Sequence, residues 1–178
     1  MNRKDIFLLI GQKGSGKSFI GAIFDKAFGI RFIRVEDWAK KIKKERAVDN
    51  EAYLEQVFEE IEKGIRKCLN ETDKIVFEST GLTEHFDQML LSLKKDFAVT
   101  TIGINADSDI CLDRVKSRDQ TIHINVSDSQ VNMINEKVRN KNFQHNFTIY
   151  NNNKSEIELI KELKNILKLT RSKAKRER

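Results

Sequence analysis

Two rhythms of apolar residues run along this chain: short unbroken runs, and longer stretches with an apolar position every third or fourth residue. Ile6-Phe7-Leu8-Leu9-Ile10 is an unbroken run closed by Gly11, the pattern of a strand buried on both faces of a parallel sheet. Lys17–Phe28 then places Ile20, Ile23, Phe24 and Ala27 at helical spacing and stops at Gly29, which suits a left-handed C-cap. Residues 30–35 predict a second strand. Residues 51–70 predict an amphipathic helix with Tyr53, Val57, Ile61, Ile65 and Cys68 or Leu69 on one face. A third strand is expected over 74–78, a helix over 83–95 with Met89, Leu90 and Leu93 inward, a fourth strand over 97–105 and a helix over Ser108–Ser117. Residues 118–126 carry no helical period and read as a loop. Ser127-Asp128-Ser129-Gln130 and Ser155-Glu156-Ile157-Glu158 both fit the capping box, in which the first hydroxyl and the fourth side chain satisfy each other's backbone N–H. They open two further helices on either side of a fifth strand, Phe147–Tyr150. The last helix is expected to face inward with Ile157, Ile160, Leu163 and Leu167.

Fivefold alternation of strand and helix predicts an α/β fold, a three-layer α/β/α sandwich around a five-stranded parallel sheet. Length and composition narrow this only slightly. The 178 residues fit one domain, taken as residues 1–170, and 39% hydrophobic content excludes wholesale disorder. The absence of proline excludes collagen-like and proline-rich segments. Cys68 and Cys111 make no disulfide framework, which points to a reducing compartment. The longest apolar run is far short of a membrane span, and no signal sequence is read at the N-terminus. A cytoplasmic protein without a membrane partner is expected. The formal charge is +6, of which the last eight residues, 171–178, supply +4 and residues 1–170 only +2. The basic excess therefore belongs mainly to a tail, read as disordered or as a frayed continuation of the last helix.

The chemistry lies in Gly11-Gln12-Lys13-Gly14-Ser15-Gly16-Lys17-Ser18, which fits G-x-x-x-x-G-K-[ST] without a gap, follows a buried strand and opens an amphipathic helix. Glycines permit positive φ, so the N–H groups of Gly11, Lys13, Gly14, Ser15 and Gly16 can line a concave nest for phosphate oxygens. The helix beginning at Lys17 aims its positive N-terminal end at the same anion. Lys17 is then placed for the β- and γ-phosphates of ATP and the Ser18 hydroxyl for Mg²⁺. The motif alone leaves GTPases, ATPases and kinases open. Asn140-Lys141-Asn142-Phe143 lacks the aspartate of a guanine-reading Asn-Lys-x-Asp segment, and the third strand ends in Glu78 alone rather than Asp-Glu. Both observations turn the reading from GTPases and oligomeric ATPases towards kinases.

With its N-terminal P-loop, an arginine-bearing segment after the fourth strand and a closing helix, the chain resembles the adenylate-kinase-like and shikimate-kinase-like P-loop kinases over residues 5–168. The resemblance implies a short lid at about 118–127, entered through Leu112-Asp113-Arg114-Val115-Lys116-Ser117-Arg118. Arg114 and Arg118 lie four apart on one helical face, and planar guanidinium groups match phosphate oxygens. Their alternative is a solvated basic face. In such kinases the acceptor lies beside the ends of the second and third strands. That makes Asp37, with Glu36 beside it, the candidate base or substrate contact, and Glu78 a substrate contact or a Mg²⁺ ligand through water. Helix capping is the alternative for these acids. Asn151, after the fifth strand, falls where relatives pack near adenine, or else serves a turn. The chain lacks the Gly-Gly-Gly segment of shikimate kinases, the Asp-Arg-Tyr of thymidylate kinases and a cysteine-rich metal lid, so no acceptor identity transfers. His85, His123 and His145 show no metal-ligand spacing. The expected activity is transfer of the γ-phosphoryl group of ATP to a nucleotide, nucleoside or hydroxyl-bearing metabolite. A kinase of polynucleotide or tRNA ends and a non-catalytic ATP-binding regulatory module are the alternatives.

Overall fold

In the computed structural model, which describes residues 3–35, 51–117 and 127–176, the N-terminal apolar run forms β1 (Asp5–Gly11) at the centre of a sheet. Its side chains alternate between two cores. Ile6, Leu8 and Ile10 join one, Phe7 and Leu9 the other, and all five are buried. Because both faces are covered, the run shows no polar alternation.

α1 (Lys17–Phe28) follows, then β2 (Arg31–Ile33), α2 (Glu51–Glu71), β3 (Lys74–Ser79), α3 (Glu84–Asp96), β4 (Ala98–Asn105), α4 (Ser108–Ser117), α5 (Asp128–Asn140), β5 (Phe147–Tyr150) and α6 (Glu156–Arg176). The strand order is β2-β3-β1-β4-β5, and every described pairing is parallel, with Leu8 opposite Phe77 on one side and Thr101 on the other. α2 and α3 cover one face through Val57, Ile61, Ile65, Phe86, Met89 and Leu93. α1 and α6 cover the other through Ile20, Ile23, Phe24, Leu159, Leu163 and Ile166, with Phe24 stacked on Phe7 at 5.3 Å between centroids. This is the three-layer α/β/α sandwich read from the alternation. No described helix is long and apolar enough to cross a membrane.

The predicted caps form. Gly29 closes α1 at φ 63°. Ser127 and Gln130 make a reciprocal capping box, and Ser155 and Glu158 exchange the same pair of bonds. Several expectations are corrected. Ala27 is exposed, because the sheet-facing stripe of α1 is already filled by Ile20, Ile23 and Phe24. Ile157 is 80% exposed; α6 buries Leu159, Leu163 and Ile166, with the expected Ile160 and Leu167 packed against the same core. The second strand is shorter than 30–35, since pairing with β3 spans only Arg31 to Ile33. The backbone of residues 171–176 continues α6 as helix, in line with the second of the two readings given to that stretch. Arg, Lys and Ala are strong helix formers.

Candidate active site

β1 ends at Gly11 with β3 on one side and β4 on the other, so the glycine-rich loop leaves the sheet at its carboxyl edge, where open parallel sheets bind ligands. Gly14 and Gly16 adopt φ 83° and 95°, and α1 starts at Lys17. Five consecutive carbonyls of this loop are held, two by the loop's own Lys17 and three by residues from elsewhere in the fold. The Lys17 ammonium donates to Gly11 O (2.9 Å) and Gln12 O (2.7 Å). The Asn135 amide donates to Lys13 O (3.0 Å), the Arg114 guanidinium to Gly14 O (3.4 Å) and the Asn151 amide to Ser15 O (2.9 Å). A trans peptide points its N–H opposite its carbonyl. Holding Lys13 O and Ser15 O outward therefore turns the Gly14 and Gly16 N–H groups to the concave side. Among the described residues those two N–H groups meet no acceptor, and the fully buried Ser15 Oγ has no partner either. These are the features of an anion cradle: inward donors, the positive end of a helix and a buried ammonium.

Across the cradle stands the end of β3. The Ser18 hydroxyl donates to both oxygens of the half-buried Glu78 carboxylate, at 2.7 and 3.0 Å. Hydroxyl and carboxylate oxygens suit a hard divalent cation such as Mg²⁺. Among the described residues no group of three or more His, Cys, Asp or Glu side chains gathers to cage a metal. Ser18 and Glu78 thus fit a hard divalent ion held by few protein oxygens.

Other predicted residues take places of their own. Arg114 lies on the outer side of the loop, bonded to Gly14 O and to Asn151 O (3.0 Å). Asn151 is 3% exposed; its N–H donates to Asn105 O (2.7 Å) and its amide is spent on Ser15. Asn152 accepts from the Asp107 N–H at 2.9 Å. Lys13 is gripped through its backbone. Glu36, Asp37, Arg118, His123 and the loop 118–126 lie outside the described residues.

One partner of the loop escaped the sequence reading. Asn135, on α5, is 3% exposed; its Oδ1 accepts from the Lys13 N–H at 2.7 Å while its amide donates to Lys13 O. Its only sequence trace is its place four residues after the fully buried Val131, which makes it a polar residue in an inward stripe.

Beneath Gly11 and Gln12 lies a cavity of about 360 Å³, bounded also by Thr80, Asn105, Arg139 and His145. His145 stacks on Phe143 at 5.1 Å, and burial pulls its imidazole below the usual histidine range. It is therefore neutral at pH 7. Burial pushes the Cys111 thiol up, outweighing the opposing pull of Lys17, Arg114 and Arg139, so the thiol stays protonated and inert.

A family described as AAA domain matches residues 6–140. No curated protein sequence matches the chain. Among solved structures, the shikimate kinase of Bacteroides thetaiotaomicron superposes with a TM-score of 0.65 at 13% identity, covering 92% of this chain and 98% of that one. The APS kinase of Mycobacterium tuberculosis, solved with AMPPNP and APS, gives 0.63 at 11% identity over 94% and 99%. The Pnkp1/Rnl/Hen1 RNA repair complex gives 0.66 at 12% identity, covering 82% of this chain but 48% of its own.

Proposed function

This chain belongs to the AAA domain family, and from that premise we propose that it is an ATP- and Mg²⁺-dependent phosphotransferase acting on a small-molecule acceptor. The observation that carries the reading is the convergence of Lys17, Ser18 and Glu78 on one cradle: a buried ammonium, a hydroxyl and a carboxylate, with the last two in direct contact. The likeness of the fold to a shikimate kinase and an APS kinase supports it.

In this reading the Gly14 and Gly16 N–H groups and the α1 N-terminus bind the β-phosphate. Lys17 balances the charge on the β- and γ-phosphates. Ser18 and Glu78 would hold Mg²⁺, which when bound would supply positive charge to offset that developing on the transferred group. The acceptor oxygen attacks the γ-phosphorus, the bond from that phosphorus to the bridging oxygen of ADP breaks, and the acceptor proton passes to a carboxylate. Asp37 with Glu36 is assigned that task, and Arg118 the neutralisation of the phosphates; Arg114 supports the loop from behind. Catalysis is then positioning and electrostatics, the main contributions available to phosphoryl transfer.

The test is ADP release from Mg-ATP in the presence of a panel of hydroxyl, carboxylate and phosphate acceptors. Acceptor-dependent release is expected. Lys17→Met should lower it at least about 100-fold while leaving the far-ultraviolet circular dichroism unchanged. Near-wild-type turnover in that variant, or hydrolysis indifferent to every acceptor, defeats the assignment. Acceptance of a polynucleotide end is the second reading, supported by the +4 carried on residues 171–178.

A further inference from the structure

We propose that Asn135 is a positioning residue of the nucleotide site, acting on the β-phosphate through the Lys13 peptide without touching the ligand. The inference rests on the phosphotransferase reading and adds a residue to it from outside the glycine-rich motif. The Asn135 side chain grips both ends of Lys13, accepting from its N–H at 2.7 Å and donating to its carbonyl at 3.0 Å. A primary amide does both from two separate atoms spaced to reach the two ends of one residue; a carboxylate offers no donor and a hydrocarbon offers neither. The second of these bonds matters for the cradle. Lys13 O and the Gly14 N–H belong to one planar trans peptide, so fixing the carbonyl outward fixes the N–H inward. Gly14, at φ 83°, has no side chain to limit its rotation. Asn151 does the same for the next inward donor, through Ser15 O and the Gly16 N–H.

The helix that carries Asn135 is set to deliver it. Val131, four residues earlier, is fully buried, and the Ser127–Gln130 box fixes the start of α5. Asn135 is as dry as the core around it, at 3% exposure, so an amide left without Lys13 would be a buried polar group without partners. The arrangement preorganises a donor that would otherwise have to be ordered by the phosphate itself.

The experiment is calorimetric titration of the full-length chain and of Asn135→Leu and Asn135→Ser with ADP and with AMP, alongside thermal unfolding of each. Asn135→Leu removes both bonds. Asn135→Ser is the milder change and carries the test should the leucine variant fail to fold. Both variants are expected to bind ADP about tenfold more weakly, the size of two modest hydrogen bonds lost from a preorganised site, and AMP, which has no β-phosphate, as well as wild type does. Wild-type ADP affinity in the variants, or equal loss for ADP and AMP, overturns the inference while leaving the phosphotransferase reading in place. Failure of the wild-type chain itself to bind ADP overturns both.

Discussion

Gly14 and Gly29 both hold positive φ, 83° and 63°, for different reasons. At Gly29 a Cβ would meet nothing within 4 Å; the glycine is there only for its backbone angle. At Gly14 a Cβ would lie 2.1 Å from the Cys111 carbonyl oxygen, so the loop is also pressed against the backbone of α4. Gly29→Ala should therefore cost about 1–2 kcal/mol of stability, the ordinary penalty of a left-handed alanine. Gly14→Ala adds a collision with main chain and should cost about 2–5 kcal/mol. Urea unfolding of the two variants compares them directly, and equal costs would mean that α4 yields to the loop. At this scale the motif was plain in the sequence, because its chemistry is local: glycines, a lysine and a serine at fixed spacing. Its braces were not. Asn135 and Asn151 act on residues 122 and 136 positions away, and an asparagine in a helix or after a strand looks solvated until the fold is closed. Only the family resemblance made Arg114 a phosphate arm, and its guanidinium is bonded to two backbone carbonyls.

The helix ends show how a few polar atoms set the boundaries of whole elements. The Ser127 hydroxyl accepts the Gln130 N–H at 3.3 Å while the Gln130 side chain accepts the Ser127 N–H at 3.0 Å. Ser127→Ala should cost about 1 kcal/mol, readable as a lowered unfolding midpoint. An unchanged midpoint would mean that packing at Val131 alone holds the start of α5. Strands and helices were legible to within a residue or two because capping boxes, Gly29 and the unbroken run of β1 are local signals. Which face of a helix turns inward was harder to read. On α6 the expected Ile160, Leu163 and Leu167 do pack on the core, but Leu159 and Ile166 are buried more deeply than Ile160 and Leu167, and only contact with β1, β4 and α1 brings them in. Ile157 lies in the first turn, beyond the reach of that core.

For the whole molecule, the alternation of elements was enough to give a parallel sheet between two helical layers, whereas the order β2-β3-β1-β4-β5 depends on crossovers no local pattern encodes. Charge is distributed unevenly on this frame, with +4 of the net +6 in the last eight residues. A chain ending at Thr170 should bind ADP as the full chain does and lose any retention of oligonucleotides at low salt, since such retention scales with the number of phosphates neutralised. Retention that survives the truncation would move the polynucleotide reading into the domain itself.

The bracing of the loop also has a consequence in time. A ribosome makes Gly11 to Ser18 more than a hundred residues before Asn135 and Asn151. The motif therefore leaves the exit tunnel complete in letters and unbuilt in shape, with two of its outward carbonyls waiting for partners not yet synthesised. Nucleotide has no finished cradle to settle into until β5 has joined the sheet, so it cannot act as a template for the early stages of folding. If the proposed function holds, affinity for ADP is a late property of the nascent chain, a mark that β5 is in place.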